Sequence, residues 1–156
     1  MAAELLLSDA PDKAAMAVIL KGLSQYNAET AGYWDRQPLA VLVSDPDTSN
    51  VIGGLYGRTS LGLLFIDAFY LPASLRGEGI GSRVLSMAEA EAERRGCCAA
   101  VLETIDFQAP GFYERHGYRV FGRIPCDPPG TARIFMHKAL REARQISTSD
   151  AARISN

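Results

Sequence analysis

Cysteine, histidine and lysine are all scarce in this chain of 156 residues. The three cysteines include an adjacent pair, Cys97 and Cys98, so no disulfide framework is indicated. The two histidines, His116 and His137, follow no zinc-binding spacing, and we expect no metal site. Cysteines without a pairing pattern favour a reducing compartment, so the predicted location is cytoplasmic.

Long apolar runs and an excess of positive charge are also missing. No run approaches the roughly 20 apolar residues that cross a bilayer, and the first residues lack the basic and apolar regions of a signal peptide. The net charge is −2, whereas duplex nucleic acid requires a basic face. We therefore expect neither a membrane nor a nucleic acid as partner.

What is present is an ordinary globular composition, with 47% hydrophobic and 22% charged residues. Apolar residues alternate between strand-like runs and helical stripes. The predicted elements are a strand over 4–8, a helix over 11–27, strands over 39–44, 51–58 and 63–71, a helix over 79–95, a strand over 99–104, a short helix over 110–116, and strands over 118–124 and 132–138.

These elements predict an α/β fold of the α+β kind. It contains a single mixed, mostly antiparallel sheet of about seven strands, with helices on both faces. The unit from residue 63 to residue 104 is a parallel strand–helix–strand crossover. We expect one domain over residues 1–140 and a tail over 141–156 that forms a frayed helix.

The segment from Arg76 to Ser82, with three alternate glycines, joins a predicted strand to a predicted helix. Backbone amides at the start of a helix form an anion site, which the helix dipole strengthens. Glycines let a ligand approach the backbone closely, and Arg76 adds a fixed positive charge. The segment is therefore suited to a diphosphate.

Two nucleotide motifs compete for this segment. A nucleoside triphosphate loop needs a lysine, and none lies between Lys21 and Lys138, so that motif is excluded. A dinucleotide fold needs a third glycine where Ser82 stands, and it needs its glycines directly after the first strand. Glu103, at the end of the next strand, is placed where a ribose-binding acid belongs, so this alternative stays open.

A third interpretation rests on two motifs together. Arg76-Gly77-Glu78-Gly79-Ile80-Gly81 resembles the acetyl-CoA signature of the GNAT N-acetyltransferase superfamily, and the segment around Phe112 and Tyr113 resembles the family's Phe-Tyr-x-x-x-Gly-Phe segment. The resemblance covers about residues 4–140. It implies a central pair of parallel strands that splay apart to hold acetyl-CoA.

The resemblance also implies roles for individual residues. The pantetheine arm would pair with the edge of the strand before the glycines, and the diphosphate would rest on the loop amides. The family often has an asparagine where this chain has Asp106, and Gln108 is a substitute for the missing amide. The implied cofactor-binding residues are Phe69, Tyr70, Leu71, Arg76, Gly77, Glu78, Gly79, Ile80, Gly81, Ser82 and Gln108.

Tyr113 matches the tyrosine that serves in the family as the acid for the leaving thiolate. A buried acid in an apolar strand is unfavourable unless it is used or paired, which makes Glu103 our first candidate for the general base and Asp67 the second. For each of these two acids, a purely structural role as a paired carboxylate is as well supported as the catalytic one. The predicted acceptor contacts are Tyr26, Trp34, Tyr56 and Asp106.

The predicted activity is transfer of an acetyl group from acetyl-CoA to a primary amine of a small molecule, by direct attack in a ternary complex. The alternative is a sensor or subunit on the same fold that binds CoA or acyl-CoA without turnover. Many family members are dimers, so a homodimer is also expected.

Overall fold

The computed structural model describes residues 2–141. The chain divides into two compact units, Met1–Asp35 and Arg36–Asn156. Within the described residues, no helix is both long and apolar enough to span a membrane. Apart from Arg141, the tail predicted over 141–156 lies outside these residues, and the predicted boundary at residue 140 stays a prediction.

The N-terminal unit consists mainly of helix α1, Lys13–Ala31. The Asp12 carboxylate caps it by accepting a hydrogen bond of 2.6 Å from the amide of Ala15. Gly32, at φ +83°, ends it. The helix is longer than predicted because residues 28–31 continue its pattern up to that glycine. The strand predicted over 4–8 was wrong: this exposed run has no strand within its unit to pair with.

The second unit is built on a sheet of six strands in the order β1-β2-β3-β4-β6-β5. Within the described residues, β3 and β4 pair in parallel and the other neighbours are antiparallel. The predicted fold class is confirmed, with six strands in place of seven. The elements are β1 (Gln37–Ser44), β2 (Val51–Ser60), β3 (Leu63–Tyr70), α2 (Ile80–Arg94), β4 (Ala99–Ile105), α3 (Pro110–Arg115), β5 (Arg119–Cys126) and β6 (Thr131–Ala139).

The buried core lies between one face of this sheet and helix α2. Alternate residues of the central strands point into it, including Leu55, Leu64 and Leu102, and Leu85 of α2 is fully buried among them. Tyr113 of α3 belongs to the same cluster. Burial of these side chains, at about 1.5–3 kcal/mol for each large aliphatic residue, fixes the helix on the sheet.

The C-terminal end of α2 is anchored by Arg95, which follows the helix. Its guanidinium donates to the carbonyl of Pro38 at 3.0 Å and to the hydroxyl of Thr59 at 3.1 Å. Its Nε also donates to the carboxylate of Glu91 at 2.9 Å. This side chain therefore ties the helix to both β1 and β2.

The two parallel strands separate halfway along their length. Pairing between β3 and β4 runs from Leu63 with Ala99 to Ile66 with Leu102 and stops there, although both strands continue. At the same level β3 carries a bulge, because Tyr56 and Gly57 of β2 face Ala68 and Ile66 and leave Asp67 as an extra residue. The separation opens a gap in the middle of the sheet, as the fold class predicted.

Leu85 provides a test of this core. Leu85→Ala should lower the free energy of unfolding by about 2–5 kcal/mol, because it removes a fully buried side chain and leaves a cavity. Met87→Ala, two residues away and 59% exposed, is the matched control and should change it by less than about 0.5 kcal/mol. Urea denaturation measures both. Equal effects of the two variants would contradict the packing described.

Candidate active site

The gap between β3 and β4 opens into a cavity of about 970 Å³. That volume is in the range of sites that hold a large cofactor or ligand. Its wall comes from the ends of both strands, the glycine loop, the segment between β4 and α3, and α3 itself. The lining residues are Ile66, Asp67, Ala68, Phe69, Tyr70, Leu71, Arg76, Gly77, Gly79, Gly81, Ser82, Leu102, Glu103, Thr104, Phe107, Gln108, Ala109, Phe112, Tyr113, Arg115 and His116.

The first turn of α2 presents unused hydrogen-bond donors at this cavity. The helical ladder begins with the amide of Arg83, which donates to the carbonyl of Gly79 at 3.1 Å. Gly79 is the N-cap, at φ +77°, and has no side chain to cap the helix. Within the described residues, the amides of Ile80, Gly81 and Ser82 donate to no protein acceptor. Free amides at the start of a helix are able to bind an anion, and the cofactor-binding role of this turn stays a prediction.

Two arginines line the cavity. Arg76 lines it, and its Nε donates to the carbonyl of Leu71 at 2.9 Å, which fastens the glycine loop to the end of β3. Arg115, from α3, is the second arginine in the lining. Arg76 and the helix dipole make the glycine end favourable for phosphate groups.

The opposite part of the cavity, where the strands separate, carries two carboxylates. Asp67 is paired with Arg58 at 2.5 Å, and Glu103 is paired with Arg133 at 2.7 Å. Both carboxylates are accessible, with side chains 39% and 48% exposed, so these pairs contribute little to stability. The cavity is therefore cation-rich at its glycine end and holds accessible carboxylates at its strand end.

Tyr113 lies in the cavity wall and is only 8% exposed. Its ring packs edge-on against Phe69, Phe112 and Tyr118, with centroids 5.3 to 6.4 Å away. Burial raises the pKa of Tyr113 to about 12. No described residue hydrogen bonds to its hydroxyl. The phenol thus stays protonated and is able to donate to a ligand.

The remaining predicted residues are spread more widely. Gln108 lines the cavity, and its carbonyl oxygen accepts from the amide of Ile105 at 3.0 Å, which leaves the amino group to donate to a ligand. Asp106 instead pairs with Arg123 at 3.4 Å and accepts from the amide of Ala132 at 3.0 Å.

Glu78 is exposed and Ile80 is half-buried. Tyr56 lies exposed on β2, outside the described cavity lining. Tyr26 and Trp34 belong to the N-terminal unit, where Tyr26 is exposed and Trp34 half-buried. The functional roles of all these residues stay predictions.

Comparison with protein families gives a match for residues 11–118 to the acetyltransferase (GNAT) family. The chain is a GNAT-family acetyltransferase. It is 37% identical over 119 residues to an acetyltransferase of Agrobacterium fabrum, which covers 76% of this chain and 86% of the relative.

Two further relatives support the assignment. The chain is 43% identical over 95 residues to the blasticidin-S acetyltransferase of Streptomyces morookaense, which covers 60% of this chain and 70% of the relative. A solved structure of an acetyltransferase from Agrobacterium tumefaciens superposes with a TM-score of 0.81 and 33% identity, covering 88% of this chain and 99% of the other.

In this GNAT acetyltransferase, the cavity residues to which the sequence assigned no role include four with large aromatic or basic side chains: Phe107, Phe112, Arg115 and His116. Phe112 and His116 are four residues apart and therefore share a helix face. This spacing of one helical turn was the signal in the sequence that could have placed both side chains at the cavity. Phe107 is 64% exposed and lies in a loop, where no pattern indicates orientation.

The raised pKa of Tyr113 predicts a pH dependence of stability. A pKa that is higher in the folded state favours the folded protein fully below the unfolded value, near 10, and this contribution is lost as the pH rises toward about 12. Tyr113→Phe should remove the part of the fall in the free energy of unfolding at high pH that comes from this phenol. Denaturant titrations of both proteins between pH 8 and pH 11 measure it, and identical slopes would contradict the burial of the phenol.

Proposed function

We propose that this acetyltransferase transfers the acetyl group of acetyl-CoA to a primary amine of a small, cationic molecule. The observation that carries the proposal is the single cavity that joins free helix amides at one end to Tyr113 and two carboxylates at the other. A diphosphate carrier with a long arm fits such a site, because its phosphates and its thioester need different surroundings.

The described residues fit coenzyme A in three places. The diphosphate would accept from the amides of Ile80, Gly81 and Ser82, beside Arg76. Beyond Ile66, β3 no longer pairs with β4, so its backbone offers a strand edge to the amides of the pantetheine arm. The arm would lead from the glycine loop along β3 to Tyr113.

The acceptor nitrogen must lose a proton before it attacks. An amine with a pKa near 10.4 is neutral about once in 2,500 molecules at pH 7, which is an energetic cost of about 4.6 kcal/mol. Glu103 is the proposed base and Asp67 the second candidate, acting directly or through a water. Both line the cavity at the strand end. The same carboxylates, although each is paired with an arginine, are exposed and able to accept a hydrogen bond from a protonated amine.

In the reaction, the neutral nitrogen bonds to the acetyl carbon and the carbon–sulfur bond breaks. The base, having released the ammonium proton to solvent, takes the second nitrogen proton as the amide forms. The departing sulfur takes a proton from Tyr113, which is then replenished from solvent. The amide of Leu71, at the end of β3, is the proposed donor to the tetrahedral oxyanion. The products are an N-acetylated acceptor and the free CoA thiol, and no acyl-enzyme is formed.

The small size of the proposed acceptor is supported by one relative and by the form of the site. The similar Streptomyces morookaense protein is named for blasticidin S, a small molecule. Phe107 is an exposed apolar side chain at the cavity, available to contact such a molecule.

Binding of acetyl-CoA should stabilise the protein. At a concentration about 100 times the dissociation constant, the folded state gains about 2.7 kcal/mol, which raises the Tm by about 5–10 °C in a chain of this size. Arg76→Ala should weaken binding and reduce this shift, whereas Arg119→Ala, exposed on β5, should leave it unchanged. The absence of any shift at millimolar acetyl-CoA would refute the proposed donor.

Tyr113→Phe separates catalysis from binding. Loss of the proton donor should lower kcat by about 100-fold, because general acid catalysis contributes roughly that much, while the dissociation constant for acetyl-CoA stays within a factor of about two. Release of the CoA thiol, measured with a panel of amines, gives kcat.

Tyr33→Phe is the matched control, since Tyr33 is exposed and lies in the N-terminal unit. It should retain the wild-type rate. Full activity of the Tyr113 variant would show that another group, or water, protonates the sulfur.

A further inference from the structure

His116 follows α3 and uses both of its ring nitrogens. Nδ1 lies 2.7 Å from the carbonyl oxygen of Phe112, one turn earlier, and Nε2 lies 2.9 Å from the hydroxyl oxygen of Ser82. The imidazole also packs against the Phe112 ring, with centroids 4.5 Å apart. The ring is half-buried in the cavity wall. Its orientation is thus fixed on three sides.

The partners determine where the ring proton sits. A carbonyl oxygen only accepts, so Nδ1 must carry the proton that it donates to Phe112. In the neutral ring, Nε2 then accepts from the Ser82 hydroxyl, and in the imidazolium Nε2 donates to the same oxygen. In both states the bond between His116 and Ser82 persists and holds the serine side chain in one position.

This contact is made to the first turn of α2, which has no capping side chain. Ser82 is the third residue of the helix, and its amide is one of the three that donate to no protein acceptor. The residue before it, Gly81, lies against the Phe112 ring so closely that an added Cβ would be 3.3 Å from it. Phe112 and His116 therefore hold two consecutive residues of an uncapped first turn.

We propose that His116 is a positioning residue for the diphosphate of acetyl-CoA. Through Ser82 it aligns the first turn of α2, so that the amides converge on the phosphates, and it keeps the serine hydroxyl in a defined orientation beside them. The inference rests on the proposed function, because it assumes that the diphosphate binds at this turn. It concerns affinity for the donor and leaves the chemistry at Tyr113 unaffected.

The test compares two acetyl donors. His116→Leu should raise the KM for acetyl-CoA by about tenfold, the effect of one lost hydrogen bond in a binding site, while kcat stays within a factor of about two. With S-acetylpantetheine, which has no diphosphate, kcat/KM should be the same for the wild type and the variant. A merely structural role of His116 would lower activity with both donors.

Conservative variants resolve which bond matters. His116→Asn retains a donor near the position of Nδ1 and loses the bond to Ser82, so it should resemble the leucine variant. His116→Gln reaches toward Ser82 and should restore part of the affinity. Ser82→Ala should raise the KM like His116→Leu, and the double variant should be no worse than the poorer single variant, because both remove the same bond.

His137→Leu is the matched control, since His137 lies exposed on β6, and it should retain the wild-type KM. If His116→Leu does not fold, Ser82→Ala carries the same comparison of donors. An unchanged KM for acetyl-CoA in both variants, or equal losses with both donors, overturns the inference alone. Failure of the wild-type protein to bind acetyl-CoA overturns the inference together with the proposed function.

Discussion

The separation of β3 from β4 is the constraint on which the rest of the structure depends. Two parallel strands that pair over only four residues each leave backbone groups and core side chains facing a gap. The bulge at Asp67 bends β3 away, and the glycine loop that follows brings the start of α2 to the rim of the same gap. Tyr113, the glycine loop and the separated strand ends thus line one cavity.

The distribution of charge follows from this arrangement. Helix amides and arginines come from elements at one end, and carboxylates come from neighbouring strands at the other. Arg58 and Arg133 hold those carboxylates in place across the adjacent strands without burying them. The two carboxylates of the site are therefore held by exposed ion pairs that contribute little to stability. The stability of the surrounding fold comes from the buried core.

Sequence patterns predicted the features that depend on residues close together along the chain. The apolar stripe of α2 and the glycines before it located the helix and the free amides of its first turn. The Phe-Tyr segment pointed to Tyr113, which lies in the cavity wall. The run over 4–8 was apolar enough for a strand, but a strand exists only where a neighbour accepts its hydrogen bonds, and that depends on distant residues. For the same reason the pairing of Asp106 with Arg123 and the contact of His116 with Ser82, 34 positions apart, have no signature along the chain.

Arg95 restrains the position of α2 in addition to the packing of its buried face. This residue fastens the C-terminal end of the helix to β1 and β2, and the buried face of α2 packs in the same core cluster as Tyr113. The helix and the phenol are therefore both held against one core. With the donor bound as proposed, the span between phosphate and sulfur is then set by the protein. In that pose the protein would select its donor by length, because only an arm about as long as pantetheine would place its acyl carbon in the gap.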